Sequence, residues 1–227
     1  MAIRRRVVFS LVAIALLAVP AAFIGRAVLF APTFDVPSIA TLPEYQDTVL
    51  LARAWSLPVA ARFGGIVEPQ RNGSVCGPAS VANVERSLGL GQRDEAKVLE
   101  GSGKCRLFGI CAGGLTLDEL AEVARRSSGK RVTVLRDLTP AAFRALLPEL
   151  NDPSRRYLVN FHRGMLFGRG VGHHSPIGGY LAERDLVFVL DVNDRYRPWL
   201  VPADRLFAAV DTVDSSSGKK RGLLVVQ

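Results

Sequence analysis

The chain contains three cysteines, Cys76, Cys105 and Cys111, and three histidines, His162, His173 and His174. Cys76 stands directly before Gly77 and Pro78, where the apolar pattern of a helix begins. Unpaired N–H groups and the helix dipole at such a position stabilise a thiolate, the reactive form of cysteine. A thiolate nucleophile needs a base that exchanges its proton, and all three histidines lie far downstream of Cys76. Asp191 ends the apolar run 186–190. A carboxylate at the tip of a buried strand must find a partner, and a histidine on the neighbouring antiparallel strand would serve and would have its ring oriented in return. Gln70, six positions before Cys76, lies close enough for a loop to place its amide beside the Cys76 N–H as an oxyanion donor. The bland readings are a buried apolar cysteine, a strand-edge histidine pair and a solvated glutamine.

The elements that must hold these residues fall into two groups. Val81, Val84 and Leu88 share a face of a helix that opens at Pro78 and ends near Gly89 and Gly91. Thr116 and Glu119 form a capping box ahead of Leu117, Leu120 and Val123, and Thr139-Pro140 opens a third helix carrying Phe143, Leu146 and Leu147. The pattern then turns to strands, expected at 131–135, 157–161, 174–181, 186–192 and 222–226, with a short helix at 203–210. Helices first and strands later predict an α+β fold.

Taken together the motifs resemble the phytochelatin synthase family, papain-like enzymes that cleave glycine from glutathione and pass the γ-glutamylcysteinyl group to water or to a second glutathione. The resemblance rests on Gln70 with Cys-Gly-Pro-Ala-Ser at 76–80, His-His-Ser-Pro-Ile-Gly-Gly-Tyr at 173–180, and Glu183-Arg184-Asp185 leading to Leu190-Asp191-Val192. It runs from about Leu50 to the end of the chain, where Thr212 to Ser215 and Lys219 to Gly222 look like the family's closing loop and strand. It implies a papain-like fold in which an N-terminal helical part, with the nucleophile at a helix start, packs on a C-terminal antiparallel sheet. It implies Cys76 as nucleophile, His173 as base, Asp191 as its orienting partner and Gln70 as oxyanion donor, with Asp214 and Arg221 holding the γ-glutamyl end. A free α-amino group suits a carboxylate and a free α-carboxylate suits a guanidinium fork. No cofactor is implied for the chemistry and no resident metal site; heavy metal ions such as Cd and Zn would enter as complexes with the glutathione substrate. The short form and the lack of a Cys-rich C-terminal extension point to glycine release by hydrolysis, with phytochelatin synthesis as the near alternative. Two features depart from the pattern. His174 occupies a place the family gives to an apolar or aromatic residue, and the segment 193–199 is altered and shorter.

The formal charge of +8 invites a nucleic-acid reading, yet Arg4, Arg5, Arg6 and Arg26 all precede the first acidic residue, and removing them leaves +4. The other basic residues are spread out without interleaved aromatics, so no nucleic-acid partner is expected. The arginines instead precede an apolar stretch, 7–24, that no charge interrupts, the pattern of an export signal or N-terminal anchor. Residues 1–30 are therefore expected to direct the domain to the periplasmic or extracytoplasmic face of the membrane, anchored if uncleaved. Residues 31–47, with Pro32, Pro37 and Pro43, read as a tether, and 48–227 as the catalytic domain, with a homodimer as the candidate assembly.

Three cysteines allow one disulfide and one free thiol. Cys105 and Cys111 lie in a Gly-rich loop whose spacing suits a small disulfide loop better than a zinc site, with metal ligation as the alternative. Two other functional classes share these residues: a papain-like peptidase acting on exported peptides, which has no need of Asp214 and Arg221, and a non-enzymatic thiol or heavy-metal binding protein.

Overall fold

A computed structural model describes residues 33–105 and 109–227. The helical half comes first: α1 (Thr48–Trp55), α2 (Cys76–Ser87), α3 (Glu95–Leu99) and α4 (Leu117–Ser128). Strand β1 (Val132–Arg136) and helix α5 (Pro140–Leu146) lead to β2 (Arg156–His162), the short α6 (Gly164–Phe167), β3 (Gly172–Leu181), β4 (Leu186–Val189), β5 (Trp199–Pro202), α7 (Ala203–Val210) and β6 (Gly222–Val226). The six strands form one sheet of order β1-β6-β2-β3-β4-β5, antiparallel at every pairing. The expected α+β class is what forms.

Its strands read as near-continuous apolar runs because both faces of the sheet are covered, which removes the usual alternation of an antiparallel sheet. Leu158, Leu224, Val226 and Phe188 pack with Val81, Val84, Leu120 and Val123 of α2 and α4 on one face. Their neighbours Tyr157, Val159, Phe161, Leu223 and Val225 pack with Phe143, Leu206 and Ala209 of α5 and α7 on the other. Side chains on successive strand residues point to opposite faces, so the two layers are written into one sequence run.

Local signals bound the helices. Thr116 and Glu119 form the capping box of α4, Gly129 closes that helix in the left-handed conformation, and Thr139 caps α5 with Pro140 at its first position. Helix α1, capped by Asp47, and the edge strand β5 were not expected. Strand β5 has four residues, follows Pro198 and ends on Pro202, too short and too proline-bounded to stand out as a strand.

The stretch expected as a tether lies against the domain where it is described. The Phe34 N–H donates to the Gly168 carbonyl, Ile39 is fully buried, and Tyr45 stacks on Trp199 while its carbonyl accepts from the Leu200 N–H. Ile39, Leu42 and Tyr45 join the α5–α7 layer, so apolar burial fixes a segment whose prolines suggested a linker. The expected apolar span 7–24 lies outside the described residues; among those described, no helix is long and apolar enough to cross a membrane.

Candidate active site

Cys76 opens α2 and is buried where a loop leads into that helix. Several contacts hold that loop. The Gln70 N–H donates to the Val192 carbonyl at 2.7 Å, and the Asn83 side chain on α2 bonds both the N–H and the carbonyl of Glu68 at 2.9 Å. The Cys111 N–H donates to Ser74 Oγ at 3.1 Å. Ser80, one turn into α2, places its hydroxyl 2.7 Å from the Cys76 carbonyl and 3.0 Å from that of His174, tying the helix that Cys76 opens to β3.

Strand β3 pairs with β2 so that His173 faces Phe161 and His174 faces Asn160 in register. His173 Nε2 lies 3.0 Å from Asp191 Oδ1, which leaves the other ring nitrogen for the Cys76 sulfur, whose thiolate the His173 ring favours. The structure thus brings Cys76, His173 and Asp191 together in series. Strand β4 stops at Val189, two residues short of Asp191, although the Leu190 N–H still bonds the Pro176 carbonyl.

Asp191 is fully buried and heavily bonded. Besides His173 it accepts from Arg163 Nη2 on both oxygens at 2.8 Å, from Trp199 Nε1 at 2.9 Å and from the Asn193 N–H at 2.9 Å. Burial alone would raise its pKa, but His173, Arg163 and the Asn193 N–H outweigh burial and hold it well below the usual carboxylate range. Arg163 is itself buried, with its guanidinium 3.9 Å from the centre of the Tyr196 ring and close to Phe161 and Phe167. Sequence reasoning missed Arg163, Trp199 and Asn160. The signal for Arg163 was an arginine set among aromatics directly after an apolar strand, but its partner Asp191 is 28 residues away.

Charge around Cys76 favours an ion pair with His173. Burial pushes the Cys76 thiol up, yet the charge and hydrogen bond of His173, a backbone bond from His174 and the charge of Arg163 together leave it below its ordinary value. Burial likewise pushes His173 down, and Asp191 and Cys76 reverse this despite Arg163, leaving it raised. The arrangement is suited to a thiolate–imidazolium pair.

Cys76 borders a cleft of about 410 Å³ that is also lined by Asn160, Gly172, His174, Asp214 and Arg221. A wider, open depression around Gln92, Asp94 and Glu100 lies apart from Cys76 and holds no nucleophile. Asp214 and Arg221 are both buried, their closest charged atoms 3.7 Å apart. Arg221 Nη1 donates to Asn160 Oδ1 at 2.8 Å, and the buried Nε has no partner among the described residues. Gln70 is placed less directly: its side-chain amide donates to the Asn72 carbonyl at 2.7 Å, which leaves one amide hydrogen for an oxyanion. Cys105 and Cys111 are joined as a disulfide, Cys76 is the free thiol, and Cys111 lines the cleft. With both sulfurs in that bond neither is a thiolate ligand, and among the described residues no group of three or more His, Cys, Asp or Glu is arranged to hold a metal ion.

A family model described as phytochelatin synthase matches residues 46–223. The chain belongs to the phytochelatin synthase family. It is 38% identical to glutathione gamma-glutamylcysteinyltransferase 3 of Lotus japonicus over 117 residues, 50% of this chain and 24% of that protein. It is also 38% identical to glutathione gamma-glutamylcysteinyltransferase 1 of Arabidopsis thaliana over 103 residues, 44% of this chain and 21% of that protein. The matched region thus spans about a quarter or less of the length of these plant relatives. Among solved structures, a C39-like peptidase from Bacillus anthracis superposes with a TM-score of 0.52 at 11% identity, covering 73% of this chain and 95% of that one. The fold is papain-like, with the helical part carrying the cysteine packed on the antiparallel sheet.

Proposed function

We propose that the chain is a cysteine-dependent enzyme that acts on glutathione, with Cys76, His173 and Asp191 as its catalytic triad. One observation carries this reading: the Asp191–His173–Cys76 series opens on a cleft that also presents a buried carboxylate, Asp214, and a buried guanidinium, Arg221. The pair suits the α-amino and α-carboxylate groups of a γ-glutamyl residue, and the relatives' names, glutathione gamma-glutamylcysteinyltransferase, fit that substrate.

In the first half-reaction the Cys76 thiolate attacks the carbonyl carbon of the cysteinyl–glycine bond, and the carbonyl oxygen becomes an oxyanion facing the Cys76 N–H and the Gln70 amide. The C–N bond breaks as the His173 imidazolium gives its proton to the departing glycine nitrogen, leaving a γ-glutamylcysteinyl thioester on Sγ. In the second, water or the α-amino group of another glutathione attacks the thioester, His173 takes the acceptor's proton, and the thiolate is restored. Asp191 orients the ring and stabilises its charge throughout. No cofactor enters these steps; Cd or Zn would take part as complexes with the substrate.

The proposed place of action is the extracytoplasmic side of a membrane, reached through the segment 1–30, and a homodimer is the assembly to test by light scattering. Incubation of the purified chain with glutathione, followed by mass analysis, tests the activity: free glycine with γ-glutamylcysteine or an elongated peptide is the expected result. Unchanged glutathione alongside cleavage of an unrelated peptide would instead favour a peptidase.

A further inference from the structure

Asn160 and His174 face each other across β2 and β3 on the cleft side of the sheet, and the proposed reaction gives neither a role. Both are buried. Arg221 Nη1 donates to Asn160 Oδ1, and because a guanidinium can only donate, this contact fixes which way the amide lies. The Asn160 NH₂ then points at the His174 ring, 2.8 Å from Nε2. The same nitrogen lies 2.9 Å from the Leu115 carbonyl, which can only accept. One nitrogen cannot accept from the amide and donate to the carbonyl together; with Nε2 donating to Leu115, the amide is left Nδ1, 3.4 Å away, as its acceptor, so the ring links the support of Arg221 to the Leu115 wall of the cleft.

The guanidinium lies close against Gly172. A Cβ at Gly172 would stand 2.4 Å from Arg221 Nη1, so the absence of a side chain there lets the guanidinium lie across β3. Burial, with the nearby charges of His173 and Arg221, pushes His174 down to about 4 although its bond to Leu115 opposes this, and the ring is neutral at ordinary pH. A neutral ring adds no competing positive charge to the anion site.

We infer that Asn160 and His174 are positioning residues that set the Arg221 guanidinium for a substrate carboxylate, and so determine the preference for acyl groups bearing a free α-carboxylate. The inference rests on the glutathione reading above. It places the pair outside the bond-making steps, with its effect on substrate capture.

Steady-state kinetics on the full chain, with glutathione and with γ-aminobutyryl-cysteinyl-glycine, which lacks that α-carboxylate, provide the test. Asn160→Ser should raise KM for glutathione by ~10-fold while kcat changes by no more than ~3-fold, since ground-state capture is what is lost. His174→Phe should raise KM by ~5-fold, and His174→Gln, which keeps both a donor and an acceptor, should recover most of the loss. For the analogue, parent and variants should share one KM. An equal loss on both substrates, or an unchanged KM for glutathione in folded variants, overturns the inference while the parent's activity stands. A parent that releases no glycine from glutathione overturns both the functional reading and this inference.

Discussion

The two sides of β3 treat adjacent histidines in opposite ways. His173 turns towards the face that holds Phe161 and Trp199, where Asp191 favours the charged ring against the penalty of burial. His174, one residue on, is buried just as deeply, yet it meets an amide and a carbonyl in place of a carboxylate and stays neutral. Burial is common to both, so the difference comes from the partner that strand alternation brings to each ring. On the proposed reading one side moves a proton and the other holds a ligand group still.

The comparison breaks most visibly at the histidines themselves. His173→Ala should lower kcat/KM by roughly 10⁴-fold or more, as removal of a triad member does, whereas His174→Phe should keep kcat within ~3-fold. Purified, folded variants with the opposite ranking would reassign the base. Arg163→Met removes the cation that shares Asp191 with His173. It should destabilise the protein by about 3–5 kcal/mol in thermal or urea unfolding, because a buried carboxylate loses a charged partner.

The same substitution has a signed effect on pH. The active ion pair forms as pH rises through the Cys76 pKa and is lost as pH rises through that of His173. Arg163 lowers both pKa values, so its removal should move both limbs of the kcat/KM profile to higher pH. A stationary profile would show that Arg163 acts on structure alone. On the ligand side, Arg221→Ala should cost about 2–3 kcal/mol in kcat/KM for glutathione, the scale of a charge-assisted hydrogen bond. Equal kinetics would show that the closing loop is misassigned. The smallest effect concerns the loop beyond both histidines: a small alkylating reagent on native, unreduced protein should label Cys76 alone, read by peptide mass mapping.

How far these features were legible in the sequence follows from the range of the interactions. The helices at 76, 117 and 140 announce themselves through local caps, prolines and 3.6-residue spacing, and the longer strands through apolar runs. Helix α1 and strand β5 carry weaker signals, and the segment 33–47 is held by contacts with residues more than 100 positions away. Within the site, Cys76, His173 and Asp191 stood out by type and order. Arg163 and Asn160 did not, because an arginine and an asparagine acquire their roles only when β2 is laid beside β3 and β6. Strand geometry alone also left the choice between His173 and His174 open; the Asp191 contact now distinguishes them geometrically.

The central claim is that Cys76 carries the acyl group of glutathione. Rapid acid quenching of the purified chain with glutathione, followed by intact-protein and peptide mass spectrometry, measures it directly. The account predicts a γ-glutamylcysteinyl adduct on the peptide containing Cys76, labile to hydroxylamine as a thioester is and absent from Cys76→Ala, which should also release no glycine. Glycine release that persists in a folded Cys76→Ala variant would contradict it.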